Sequence, residues 1–199
     1  AIQLAEISTI IINNSFKSGK LPSLLKISKI LPCFKSGDPT QTNNYRPISN
    51  LNCISKVIEK LVAERLSKFL EISGRNHPQQ HGFTKGKSVS TAFFDFLNRI
   101  HENIDNNKSS IGLFIDLSKA FDLVNHQKLL EKLWQNGIRG VTWDWFKSYL
   151  ENRAHYVEIN GIRSSKLVMT TGVPQGSVLG PLLYLTYVSD FPCNQSVMY

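Results

Sequence analysis

From Ile111 to Leu117 the chain is a continuous apolar run broken only by Asp116. A run of this length, apolar on both faces, suits a strand buried on both sides, with one carboxylate at its C-terminal end. Ser118 then offers a helix cap. The spacing of Ala120, Phe121, Val124, Leu129, Leu130, Leu133 and Trp134 predicts a helix from there to Gly137. A carboxylate at a sheet edge, beside a turn into a helix, is a site that Mg²⁺ favours, because the ion takes one or two carboxylates and fills its shell with phosphates and water. The alternative is that Asp116 or Asp122 serves only to cap the helix.

The rest of the chain alternates helical and extended signals, which predicts an α+β fold. Residues 2–16 read as a helix ended by Ser18-Gly19. Ile27 to Phe34 is β-prone and enters the turn Lys35-Ser36-Gly37-Asp38-Pro39, with a return strand from Tyr45 to Ile48. Ile54 to Ile72 is amphipathic, with Ile54, Val57, Ile58, Leu61, Val62, Leu66, Phe69 and Leu70 on one face and Lys, Glu and Arg on the other. A second helix over 89–103 is capped by Ser88 or Ser90, and a third covers 141–150. Asn160-Gly161, after Tyr156-Val157-Glu158-Ile159, is the strongest hairpin signal, since that pair accepts the positive φ angles of a type I′ turn. Residues 166–171 extend as another strand. Ser177 to Tyr187 is a short helix with Pro181 in its first turns, and Ser196 to Tyr199 reads as a strand.

Charge divides the chain. Of 199 residues, 23 are Lys or Arg and 15 are Asp or Glu, and the whole excess of +8 falls in residues 1–90. A surface that grips a phosphate backbone or a triphosphate needs such an excess, although a solvated lysine-rich face has the same composition. Cys33, Cys53 and Cys193 form neither a disulfide framework nor a zinc spacing, which fits a reducing intracellular compartment, nucleus or cytoplasm. The most apolar stretch, Val178 to Val188, is interrupted by Gly180 and Pro181 and falls short of the ~18 residues of a membrane span.

Four blocks in order carry a resemblance. Phe114-Ile115-Asp116-Leu117-Ser118-Lys119-Ala120-Phe121-Asp122, continuing to His126, resembles motif A of the reverse transcriptases of non-LTR, LINE-type, jockey-like retrotransposons. Thr171 to Leu183, with Gly172-Val173-Pro174-Gln175-Gly176-Ser177, resembles their motif B. Lys35-Ser36-Gly37-Asp38-Pro39 with Asn44-Tyr45-Arg46-Pro47-Ile48-Ser49 resembles their fingers hairpin, and Gln80 to Ser88 resembles a block that lies along the template-primer. The last departs from the pattern: Thr84 and Lys87 stand where arginines are usual, and lysine lacks the guanidinium fork.

The resemblance implies a right-hand polymerase of fingers plus part of a palm with an antiparallel sheet, the thumb absent. Residues 1–90 and 125–172 would be fingers, and 91–124 and 173–199 palm. It implies RNA-directed DNA synthesis from a primer 3′-OH by two-metal chemistry, with two Mg²⁺ ions, or Mn²⁺ in their place, and with RNA template, DNA primer and dNTPs as partners. Asp116 and the Leu117 carbonyl would face the metal. Lys35, Arg46, Gln175 and the Lys119 and Ala120 N–H groups, at a helix start, would hold the dNTP. Phe121 would exclude a 2′-OH by steric clash. Ile48 and Leu51 would lie near the templating base, and Lys85 and Lys87 along the template-primer. Tyr199 stands where the family's Y-A-D-D motif begins, so these 199 residues alone are expected not to polymerise. A degenerate remnant that keeps the fold and nucleic-acid binding is the alternative.

Overall fold

The structure, a computed structural model, describes residues 2–75 and 79–190. The strand expected at 196–199 lies outside the described residues. Helix α1, Ile2–Ser18, leads through a short 3-10 turn to strand β1, Ile27–Phe34, which pairs antiparallel with β2, Tyr45–Asn50. Helix α2, Cys53–Ile72, starts where the Asn52 side chain accepts from Ile54 N at 2.8 Å. Its Ile58, Val62, Leu66 and Leu70 recur every four residues and form one wall of the core.

Helix α3, Val89–Asp105, begins in a capping box between Ser88 and Thr91. Although amphipathic, it has no buried residue: Val89, Phe93 and Phe94 all face outward. Helices α4, His126–Gln135, and α5, Gly140–Leu150, pack together and bury Leu129, Leu133, Trp145, Phe146 and Leu150. α5 also holds α1, with Trp145 Nε1 donating to Ser15 Oγ at 3.0 Å and Phe16 edge-on to the Trp145 ring.

Strand β3, Ala154–Ile159, runs parallel to β1. It then turns at Asn160-Gly161, both at positive φ as the sequence predicts, into β4, Ile162–Arg163. β5, Leu167–Val168, pairs back on β3 and is shorter than the strand expected over 166–171. Helix α6, Gly180–Val188, closes the described chain with Pro181 in its first turn. Among the described residues the fold is therefore a mixed α/β arrangement of six α-helices and a sheet of order β2-β1-β3-β4, with β5 on β3. Among the described residues no helix is long and apolar enough to cross a membrane.

Glu158 ties the sheet together, accepting from Lys29 Nζ at 2.7 Å and pairing with Arg163. These two bonds, Lys29 first, hold its carboxyl below the usual carboxylate range. A folded pKa below the unfolded one gives stability that is present above about pH 4.3 and is lost as pH falls through the folded value. Melting curves of E158Q and wild type are thus expected to differ near neutrality and to converge as pH falls through the lowered folded value of Glu158. A constant gap down to about pH 2 would contradict this.

Three expectations are corrected. Residues 111–117 are neither strand nor buried: Ile111 is 98% exposed, and Leu113, Phe114, Ile115 and Leu117 face outward. Among the described residues no strand lies alongside them, and an extended segment without a neighbour has no ladder to join. Accordingly all five strands lie within 27–50 and 154–168, and no antiparallel sheet forms around Asp116 among the described residues.

The helix expected from Ser118 starts only at His126. Lys119 sits at φ +55°, which a helix cannot continue, and Asn125 Oδ1 is the cap, accepting from Lys128 N at 3.0 Å. Finally, Glu59 does not share the solvated face of α2; it is buried.

Candidate functional site

The β1–β2 hairpin stiffens its own turn. Asp38 Oδ1 accepts from the Thr40 N–H at 2.9 Å and the Thr40 hydroxyl at 2.7 Å, which holds the Asp38 carboxyl below its usual range. Asn44 Nδ2 and Tyr45 OH donate to the carbonyls of Asp38 and Pro39, both at 2.8 Å. From this stapled turn Lys35 and Arg46 project into solvent. Lys35 N bonds Asn44 O at 2.8 Å and Arg46 lies opposite Cys33, so the two cations are two rungs apart. Neither enters an ion pair among the described residues.

Residues 118–123 form a turn instead of a helix start, closed by Asp122 N donating to Lys119 O at 2.9 Å. Lys119 and Ala120 therefore do not sit at a helix N-terminus, and no helix dipole adds to their N–H groups. Onto this turn docks the loop 171–179. Val173 N donates to Phe121 O at 2.9 Å, Gly172 N to Val124 O at 2.8 Å, and Thr171 Oγ1 to Asp122 O at 3.2 Å. His126 Nε2 lies 2.7 Å from Gly172 O, so that nitrogen carries the proton it donates. The backbones meet this closely because Gly172 has no side chain: a Cβ there would stand 2.8 Å from Asp122 O and 3.0 Å from its Cα.

The same loop joins β2. Ser49 N donates to Gln175 O at 2.7 Å, and Ile48 packs by Gly176, so Gln175 and Ile48 are neighbours. Leu51, also expected near a template, is instead 4% exposed and belongs to the core.

Phe121 is half-buried, stacked on Tyr184 with ring centroids 5.0 Å apart and met edge-on by Phe83 at 6.0 Å. Phe83 reaches it at φ +53°, a conformation that costs a bulky residue about 1–2 kcal/mol. Phe83, Lys85, Leu117 and Tyr184 line one open cleft of about 1770 Å³. Lys85 is exposed and Lys87 half-buried. The loop that carries them is anchored by His81, whose Nδ1 lies 2.8 Å from Thr91 Oγ1 and whose Nε2 lies 3.3 Å from Asp95.

Asp116 is exposed and free of ion pairs among the described residues, where no group of three or more His, Cys, Asp or Glu converges. The donors it can offer a hard cation are its own carboxylate and adjacent carbonyls such as that of Leu117. This set suits Mg²⁺ only when phosphates and waters complete the shell. Asp190 pairs with Lys132, whose ammonium holds the Asp190 carboxyl below its usual range.

The structure thus gathers Phe121, Gln175 and Ile48 around one loop, and Leu117 and Lys85 around one cleft. No hydrogen bond or ion pair among the described residues carries Lys35 or Arg46 to Asp116. Sequence reasoning missed Tyr184 and Phe83 as partners of Phe121, His126 as a tether, and Glu59 beneath the loop. His126 ends motif A and could have been flagged; the other three carry no local signal.

A family model described as reverse transcriptase (RNA-dependent DNA polymerase) matches residues 35–198. The probable RNA-directed DNA polymerase from transposon BS of Drosophila melanogaster is 38% identical over 176 residues, which is 86% of this chain and 19% of that protein. The RNA-directed DNA polymerase from mobile element jockey of the same fly is 33% identical over 196 residues, 98% of this chain and 21% of that protein. The probable polymerase from transposon X-element is 35% identical over 185 residues, 92% and 20% respectively. The chain spans about a fifth of the length of these curated relatives.

Proposed function

Since the chain belongs to the reverse transcriptase family, on its LINE-type, jockey-like branch, we propose that it supplies the nucleotide-binding face of an RNA-directed DNA polymerase. In this reading, residues 1–90 and 125–172 are fingers and 91–124 and 173–199 are palm. The observation that carries it is the backbone docking of loop 171–179 on the Phe121–Val124 turn, with Gln175 held to β2 on the other side.

Each residue then has a physical task. Lys35, a compact ammonium, and Arg46, a planar fork, hold triphosphate oxygens from a turn that is already rigid, so little ordering is needed on binding. The Lys119 and Ala120 N–H groups face the same phosphates from the 118–122 turn. Phe121, braced by Tyr184 and Phe83, lies under the sugar. Gln175 hydrogen-bonds near sugar and base, while Ile48 packs by the templating base and Lys85 and Lys87 follow the template-primer. Asp116 and the Leu117 carbonyl would hold Mg²⁺. When bound, divalent ions supply charge neutralisation at the reacting phosphate and activation of the primer 3′-OH.

The direct test is primer extension on an RNA template with dNTPs and Mg²⁺, using the protein as encoded. Template-dependent DNA product is expected of a protein of the relatives' length that carries this chain. Tight RNA–DNA binding without any extension would favour instead a remnant that keeps only the fold.

Phe121 yields a sharper expectation. Phe121→Val removes the braced ring, so discrimination against ribonucleotides should fall by about 10–200-fold, the 1–3 kcal/mol range typical of a steric contact in a pocket. Competing dNTP and rNTP incorporation measures it, and unchanged discrimination would remove Phe121 from the sugar site.

A further inference from the structure

Glu59 is the one buried acidic side chain among the described residues, at 2% exposure, and no cation touches it. Its three hydrogen bonds point elsewhere. Oε1 accepts from Tyr149 OH at 2.8 Å, and Oε2 accepts from the backbone N–H groups of Val178 at 2.8 Å and Leu179 at 3.4 Å. Those amides precede α6, at the end of the loop that carries Gln175. The next one, Gly180 N, donates to Ser177 Oγ at 2.9 Å. Arg153 lies over the Tyr149 ring, 4.6 Å from its centroid. Burial raises the Tyr149 pKa, which keeps the hydroxyl a donor.

A carboxylate is an expensive way to fasten one helix to another. Desolvating it costs several kcal/mol, and a leucine at this point of α2 would pack more cheaply. What a leucine cannot do is accept hydrogen bonds from two backbone N–H groups that the loop leaves without carbonyl partners. A negative group is also favourable just before a helix N-terminus. With this anchor, the 172–179 segment is held at three places: on the Phe121–Val124 turn, on Ser49 of β2, and on α2.

We propose that Glu59 is a positioning residue for nucleotide binding: it sets the height of the 173–179 loop, and hence of Gln175, against Ile48 and Phe121. This rests on the polymerase reading above, because it takes Gln175 to meet the dNTP. It assigns Glu59 no contact with substrate.

The test combines two measurements on the protein as encoded: amide hydrogen exchange at Val178 and Leu179, and steady-state primer extension with one dNTP varied. In E59A, exchange at those two amides should quicken at least tenfold while Leu129 in α4 is unchanged. The KM for dNTP should rise about tenfold with kcat within about threefold. E59Q should restore both, since its amide oxygen can still accept from the loop while the Tyr149 hydroxyl turns to accept from the new NH₂. Should E59A fail to fold, E59D keeps the charge but withdraws the carboxylate by one methylene and carries the same expectations as E59A. Unchanged exchange, or faster exchange with an unmoved KM, overturns the proposal. Absence of any wild-type extension would count against the polymerase reading, while the exchange result would still decide whether Glu59 holds the loop.

Discussion

Asp116→Asn is expected to lower nucleotide incorporation by about 10³-fold or more while leaving the melting temperature nearly unchanged. The two halves of this result have separate causes. Asp116 is exposed and makes no ion pair among the described residues, so the neutral isostere disturbs no packing, and a surface change of this kind stays within about 0.5 kcal/mol. On the proposed reading, incorporation would in contrast need the charged Asp116 oxygen to help hold a divalent cation, whose charge neutralisation would be worth several kcal/mol, and each 1.36 kcal/mol is tenfold in rate.

Asp122→Asn is the comparison. Asp122 serves the site through its backbone carbonyl, which accepts from Thr171 Oγ1 and survives the change. Single-turnover extension of both variants, with a thermal melt of each, separates the cases. Incorporation by D116N within tenfold of wild type would remove Asp116 from the metal site.

Gly172→Ala should be strongly destabilising. Gly172 has φ +87°, and an added Cβ would face backbone atoms of Asp122 at 2.8, 3.0 and 3.1 Å, none of which can rotate away. The dihedral costs about 1–2 kcal/mol and the overlap about 1–3 kcal/mol. A loss of about 2–5 kcal/mol follows, near 5–15 °C in melting temperature for a domain of this size.

Relief would come by lifting the loop, which breaks the Gly172–Val124 bond and the His126 tether together. Incorporation should therefore fall with stability. Gly74→Ala is the control: Gly74 also has positive φ, but nothing lies within 4 Å of its added Cβ, so only the dihedral cost applies. Equal melting shifts for the two variants would show that the backbone contact carries no energy.

Asn160-Gly161 announces its turn by residue type alone, whereas Asp116, Phe121 and Gln175 stand out only through the ordered blocks that contain them, since an aspartate can equally cap a helix and a phenylalanine fill a core. What was not legible is how those segments meet. The carbonyls of Phe121 and Val124 have no feature in sequence that marks them as acceptors for Val173 and Gly172, since every residue has the same backbone groups. Nothing in the sequence sets Glu59 apart from the exposed Lys56, Lys60 and Glu64 around it. Its burial depends on a tyrosine 90 residues away.

By itself, the sequence determined the elements that close their own hydrogen bonds within a few residues. These are α1, α2, α3 with its Ser88 cap, and α5, the β1–β2 hairpin with its stapled turn, and the β3–β4 turn. It also determined the family, through four blocks in order. Tertiary structure alone decided that 111–117 carries no ladder, that the helix after Asp116 waits until His126, that α3 buries none of its residues fully, and that Glu59 reaches the 178–179 amides. The reason is one of range. A helix finds its partners four residues along its own chain, whereas a strand's ladder, a buried charge and a docked loop each need a group supplied from far away in the chain.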